Sequence, residues 1–185
     1  MGIVGDSLDR AGQAAFTRPI PRSAGAQMRY LVKQHKGSTK AVAGLLGVSQ
    51  RTVERYVKDQ IKKPKPDLAA RMEAEVRRRW QPMVRKRARD KAATQTGLVI
   101  ETRARFGFTA APGTTDDARM RRITQYLPPQ YAGRLFAAQD AGAPESDLQR
   151  IAAQGLQDVY FQDSGGRAQG LLVEFTDIDY IDVNL

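Results

Sequence analysis

The spacing of apolar residues divides this chain into a helical first half and a mixed second half. Over residues 24–36 (AGAQMRYLVKQHK), Met28, Leu31 and Val32 fall at i, i+3 and i+4, one face of a helix. Gly37 and Ser38 close that helix and open the next. Two short helices follow, over 39–46 and 50–59. The run Lys62-Lys63-Pro64-Lys65-Pro66 interrupts the pattern, because a residue before proline disfavours the helical region. Asp67 is expected to cap the next helix. Its buried stripe is Leu68, Met72, Val76 and Trp80, one every four residues. Pro82 kinks or restarts this helix, which runs on to about residue 94.

The period then changes. Residues 98–108 (LVIETRARFGF) alternate and are rich in β-branched and aromatic side chains, which predicts a strand. Residues 109–117 (TAAPGTTDD) read as a loop, with Pro112-Gly113 as a turn signal. Residues 121–127 (RRITQYL) suit the returning strand. Pro128-Pro129 opens a helix to about residue 138, and 144–154 form another with Leu148 and Ile151 inward. Gly165-Gly166 marks a tight turn. Residues 171–183 (LLVEFTDIDYIDV) alternate between apolar and acidic positions, a half-exposed strand or a bent pair.

These elements predict an α+β fold. An N-terminal all-α helix-turn-helix region precedes a long basic helix and a small C-terminal α+β domain with an antiparallel sheet. The expected divisions are an arm over 1–23, poor in periodicity and holding at most one short helix, and a DNA-binding region over 24–66. A basic helical connector over 67–96 and the α+β domain over 97–185 complete the chain.

Composition narrows the chemistry. The 185 residues include no Cys and a single His, His35. Disulfides, cysteine nucleophiles and thiolate metal sites are excluded, and a Ser-His-Asp triad or a zinc site is poorly served. No apolar run approaches the roughly 18 residues needed to span a bilayer. The N-terminal segment lacks the basic and apolar regions of a secretory signal. A soluble, cytoplasmic chain with no membrane partner is expected. The net charge is +10, but it is unevenly placed. Up to Lys91 there are 22 Lys+Arg and 8 Asp+Glu; beyond it there are 8 and 12, with no lysine. The first half therefore has the profile of a polyanion binder, although a charge run is also what a solvated face looks like.

Residues 39–58, TKAVAGLLGVSQRTVERYVK, carry the pattern of a helix-turn-helix. Two helices crossing closely need a small contact residue, Ala43. The turn needs a residue that accepts positive φ, Gly47. Val42, Leu46, Val48, Val53 and Tyr56 occupy the apolar positions, and Ser49 is placed to cap the second helix. That helix would lie in the major groove. Gln50, Arg51 and Arg55 are the candidate base readers: arginine suits the guanine O6/N7 edge and glutamine the adenine N6/N7 edge. Lys58 also faces outward. Thr39, Lys40, Ser49 and Thr52 are candidates for phosphates. Glu54 can accept from cytosine, but a pair with Lys58 at i, i+4 is the favoured expectation. Arg77, Arg78, Arg79, Arg85, Lys86, Arg87 and Arg89 would add sequence-independent phosphate contacts.

The chain also resembles a family, the telomere-protecting terminal proteins of linear Streptomyces chromosomes and plasmids. The resemblance runs from GIVGDSLDRAGQAAFTRPIP, through the helix-turn-helix and the following basic helix to RRRWQP. It continues through FGFTAAPGTTDDARMRRIT to the acidic VEFTDIDYIDVNL. It implies a protein joined covalently to the 5′ ends of linear replicons, which binds telomeric DNA (a single-stranded overhang or folded end) and primes end patching. It implies two protein partners, a telomere-associated protein and a DNA polymerase, and a nucleoid-associated location. No intrinsic cofactor is implied; Mg²⁺ would come with the polymerase. The chain would be a nucleotide acceptor rather than an enzyme.

The family's attachment residue is a threonine, and PGTTDD carries the match: Thr114, with Thr115 as the near alternative. A priming hydroxyl must enter another protein's active site, which suits an exposed loop. Asp116 and Asp117 would orient a metal or take a proton, or are simply solvated loop acids. Tyr126, Tyr131, Tyr160 and Tyr180 are the rival hydroxyls. Asp177, Asp179 and Asp182 suit a metal site, a docking edge or an edge strand with its charges outward. The competing reading is a helix-turn-helix transcriptional regulator without covalent attachment, which would dimerise on a palindrome. Nucleotidyltransferase activity lacks a motif. Oligomeric state, the DNA sequence read and the first nucleotide are not set by these patterns.

Overall fold

The computed structural model describes residues 2–109, 120–162 and 171–185. Its elements are α1 (Ile3–Ala14), α2 (Ala24–Gln34), α3 (Thr39–Leu46), α4 (Gln50–Val57), α5 (Pro66–Arg79), α6 (Pro82–Lys91), β1 (Leu98–Thr109), β2 (Met120–Leu127), α7 (Pro129–Asp140), α8 (Glu145–Leu156) and β3 (Leu172–Asn184). Single π-helical turns follow α6 at Ala92–Thr96 and α8 at Gln157–Phe161. The chain is therefore mixed α+β with an N-terminal helical region. It forms two compact units, residues 17–82 and residues 1–16 with 83–185. The units divide at 16/17 and 82/83, and the sequence-based divisions fall at 23/24, 66/67 and 96/97. Among the described residues no helix is long and apolar enough to cross a membrane.

In the 17–82 unit, serines start three helices in the way short helices require. Ser23, Ser38 and Ser49 accept from the backbone N–H of Ala26, Ala41 and Thr52 at 3.3, 3.1 and 3.2 Å. The same helices end alike. Gly47 takes φ +62°, and Val48 N–H reaches back to the Ala43 carbonyl at 3.0 Å. That closes a Schellman motif, as the positive φ requires. Lys36 (φ +54°) and Asp59 (φ +55°) occupy the equivalent place after α2 and α4. Gly37 N–H then bonds the Val32 carbonyl at 2.8 Å, and Gln60 N–H the Arg55 carbonyl at 2.9 Å. The reversal after α2 thus begins at Lys36, one residue before the glycine that signals it.

The core of this unit joins Met28 and Leu31 of α2, Val42, Ala43 and Leu46 of α3, Val53 and Tyr56 of α4, and Leu68, Met72 and Val76 of α5. So α5 is not a free connector. Its stripe supplies the apolar face that α2, α3 and α4 need. Trp80, expected inside that stripe, is instead the half-buried residue just after the helix. It packs edge-on to Tyr30 at 4.9 Å and donates from Nε1 to the Arg18 carbonyl at 3.1 Å. Tyr30 Oη donates to the Arg79 carbonyl at 2.6 Å. Asp67 does not cap α5. Lys65 occupies the cap with no side-chain bond, Pro66 starts the helix, and Asp67 lies in the first turn. There its charge still favours the helix N-terminus.

In the other unit, residues 3–14 of the expected arm form the short helix α1. Val4, Leu8 and Ala11 of α1 are buried in the same core as the sheet. The α1 N-terminus is capped from a distance: Glu145 accepts from Val4 N–H at 2.7 Å and from Gly5 N–H at 3.2 Å. Ser7 Oγ accepts from Val183 N–H at 2.8 Å, fixing α1 to β3.

The sheet is antiparallel in the order β2-β1-β3. Ile100, Thr102, Ala104 and Phe106 of β1 face the core, and the buried Thr102 hydroxyl donates to the Tyr180 carbonyl at 2.8 Å. Phe106 packs against Phe161 and Phe175, at 5.2 and 5.0 Å between centroids. β3 is one strand, not a bent pair, but it does not alternate evenly. Its register shifts twice against β1, at Arg103/Ala104 and Arg105/Phe106. Val173, Phe175, Ile178, Ile181 and Val183 consequently all lie on the core face.

Candidate nucleic-acid interface

The α3–α4 pair holds its polar residues on a rigid apolar base. Val53 and Tyr56 anchor α4 in the core, which leaves Gln50, Arg51, Arg55 and Lys58 exposed. Among the described residues no salt bridge involves Arg51, Arg55 or Lys58. Gln50 is held: its Nε2 donates to Thr39 Oγ1 at 3.1 Å and to Glu54 Oε1 at 3.0 Å. Glu54 therefore pairs with Gln50 and not with Lys58, correcting the expected i, i+4 ion pair. Lys40 is exposed on α3. Ser49 Oγ and Thr52 Oγ1 are 2.9 Å apart, so one hydroxyl hydrogen joins them and one remains for a phosphate oxygen.

The other basic candidates separate into groups. Arg77 pairs with Glu73 at 2.5 Å, and Arg78 and Arg79 share Glu75 at 2.8 and 2.9 Å. These pairs are exposed or half-exposed, and exchanging such a carboxylate for a phosphate costs little. Arg85, Lys86, Arg87 and Arg89 belong to the other unit. Lys86 pairs with Asp90 at 2.9 Å, and Arg87 is exposed. Arg89 does not suit the phosphate role. Its guanidinium donates to the Phe136 carbonyl at 3.1 Å and to Asp140 at 2.8 Å, and lies 4.6 Å from the Phe136 ring centroid. It fastens α6 to α7. Arg85 has its stem 3.1 Å from where a Cβ on Gly12 would stand, against α1.

Sequence reasoning passed over Arg22. With Lys62 and Lys63 it lines an open cleft of about 460 Å³ beside the start of α2, over Gln27 and Glu73. The basic run Lys62-Lys63-Pro64-Lys65 was the available signal for the two lysines; nothing marked Arg22.

Thr114, Thr115, Asp116 and Asp117 lie outside the described residues, as does the Gly165-Gly166 turn. The rival tyrosines are described. Tyr131 is buried and donates its hydroxyl to Asp158. Burial first, and then that bond, push the hydroxyl from its ordinary 10.0 up to about 12. Tyr180 Oη donates to Glu101 at 2.9 Å, and Arg122 reaches the same carboxylate at 2.8 Å. The Arg122 guanidinium, followed by the Tyr180 hydroxyl, holds Glu101 below the ordinary carboxylate value. Tyr126 is 45% exposed, and Tyr160 packs edge-on to Phe161.

The raised Tyr131 value carries a pH dependence. A group whose folded value is raised stabilises below its unfolded value and loses that contribution as pH climbs through the folded one. The stability of the chain relative to Tyr131→Phe should therefore be constant below pH 10 and fall as pH climbs from 10 to about 12. Urea titrations across that range check it; an advantage unchanged to the end of the window would contradict the assignment.

Of the C-terminal acids, Asp179 pairs with Arg103 at 2.9 Å, and Asp182 lies 3.6 Å from Arg10. Asp177 sits opposite Arg105 in register. β3 is an edge strand with these charges facing out. No group of three or more His, Asp or Glu that would hold a metal ion occurs among the described residues.

The class these observations define is an α+β protein whose helical region presents a helix-turn-helix with a polar, cationic face. No protein-family model, curated protein or solved structure matches the chain.

Proposed function

We propose that the protein is a terminal protein of linear replicons, which binds telomeric DNA through α4 and serves as the protein primer for end patching. The observation that carries the DNA-binding part is the α4 face. Arg51 and Arg55, with Lys58 at the C-terminal cap, stand exposed and without a salt bridge among the described residues, on a helix capped by Ser49 and seated by Val53 and Tyr56. Such donors suit guanine edges and phosphates in a major groove. The priming part rests on the resemblance of the PGTTDD segment.

In that reaction the hydroxyl oxygen of Thr114, or of Thr115, attacks the α-phosphorus of a deoxynucleoside triphosphate. A P–O ester bond to the side chain forms, the bond between the α-phosphorus and the bridging oxygen breaks, and pyrophosphate leaves. The hydroxyl proton passes to a base. The new 3′-OH is then extended by the polymerase, which brings the divalent metal and most of the transition-state stabilisation. The chain is the acceptor in this scheme, not the catalyst. The buried Tyr131 hydroxyl is a poor substitute, since it cannot enter a second protein's active site as folded.

End fragments of the replicon provide the test. Restriction fragments from the two ends should enter a gel only after protease treatment, and internal fragments should enter without it. End fragments that migrate freely, together with tight binding to an internal palindrome, would favour the transcriptional-regulator reading.

A further inference from the structure

We infer that α4 reads cytosine through an acceptor edge made of Gln50 Oε1 and the Glu54 carboxylate, one of whose oxygens takes the single N4 hydrogen that base pairing leaves in the major groove; this rests on the reading of α4 as a major-groove helix. The sequence alone suggests that Gln50 reads adenine, which needs one amide N–H for N7 and the amide oxygen for N6. The geometry withdraws that N–H. Gln50 Nε2 has two hydrogens, and both are engaged, by Thr39 Oγ1 at 3.1 Å and Glu54 Oε1 at 3.0 Å.

The orientation of the amide is fixed by chemistry. An ionised carboxylate only accepts, so the nitrogen of Gln50, and not its oxygen, must face Glu54. What Gln50 has left to offer is an acceptor. Glu54 offers a second, with no lysine or arginine among the described residues bridged to it. Residues 50 and 54 are one turn apart and share a face. That face therefore presents two acceptors side by side.

Of the four bases, only cytosine and adenine put a donor in the major groove. Adenine sets its N7 acceptor beside the amine, where it would meet the carboxylate. Guanine and thymine place acceptors there. Cytosine presents its amine alone and is the base that fits. The neighbouring Arg51 and Arg55 supply the donors for guanine. Thr39 lies on α3, yet it is a specificity residue acting through Gln50. Without its hydroxyl, one amide hydrogen of Gln50 becomes free for adenine N7.

Selection from a randomised duplex pool, with the full chain and three variants, tests this. Gln50→Ala identifies the base position concerned, as the one whose preference it abolishes. At that position the full chain should favour cytosine over thymine by about tenfold, the worth of one good base contact. Thr39→Val should move the preference towards adenine, a change that loss of stability alone does not produce. Glu54→Gln should relax it. Adenine, guanine or thymine selected by the full chain, or cytosine retained unchanged in Thr39→Val, overturns the acceptor assignment while leaving α4 as the reading helix. Failure of the full chain to bind duplex DNA even at about 50 mM salt overturns the major-groove reading itself.

Discussion

Gly97→Ala is expected to destabilise the C-terminal unit by about 4 kcal/mol. Gly97 links the π-helical turn after α6 to β1, with φ +64° and ψ −155°, a region essentially closed to residues with a Cβ. An added Cβ would stand 2.2 Å from the Leu127 carbonyl oxygen and 2.8 Å from the Tyr126 ring. The first is backbone on the paired strand, since Leu98 is opposite Leu127 in register. Relief would require β2 to move away from β1 and carry buried Leu127 out of the core. Hydrogen exchange of the β1 and β2 amides, with urea unfolding, reads the effect. A loss below about 1 kcal/mol would mean that the junction yields easily and the strain argument is wrong.

Arg51 and Arg87 should fail in different ways. Arg51 sits in the first turn of α4, exposed and with no ion pair among the described residues. Arg51→Ala is expected to lower the preference for the selected site over random DNA by about tenfold to a hundredfold. Affinity for random DNA should change little. Arg87 lies on α6, where no residue is fully buried. Arg87→Ala should weaken all sequences alike and reduce the salt slope by about one. Arg89→Ala, at a neighbouring position, should instead cost stability, because it breaks the anchor to Phe136 and Asp140. Equal losses on random DNA from Arg51→Ala and Arg87→Ala would contradict the division between base reading and phosphate contact.

The helix-turn-helix was legible because each of its demands is local. A small residue at 43, a positive φ at 47 and a cap at 49 are set by a few neighbouring atoms. The strands at 98–109 and 120–127 were legible for the same kind of reason, from alternation bounded by turn residues. What escaped depends on partners far along the chain. The first residues read as an arm, because the carboxylate that caps α1 comes from Glu145, far along the chain. The stripe of α5 is visible in sequence, but not that it completes the core of α2, α3 and α4. β3 looked evenly alternating; its two shifts follow from pairing with β1. Arg89 looked like its basic neighbours until Asp140 and Phe136 were beside it. In the candidate site, the direction of the Gln50 amide was hidden, since it is set by Thr39 on another helix.

The most direct measurement of the priming claim is nucleotide transfer to the protein. The purified chain is incubated with each α-labelled deoxynucleotide, a telomeric 3′ overhang, Mg²⁺, the polymerase and the telomere-associated partner. It is then denatured and digested. The account predicts label on the peptide spanning Thr114, absent in Thr114→Ala or, if the neighbouring hydroxyl is the acceptor, in Thr115→Ala. Label on a tyrosine peptide, or no covalent label with the matching telomere and partners present, would contradict it.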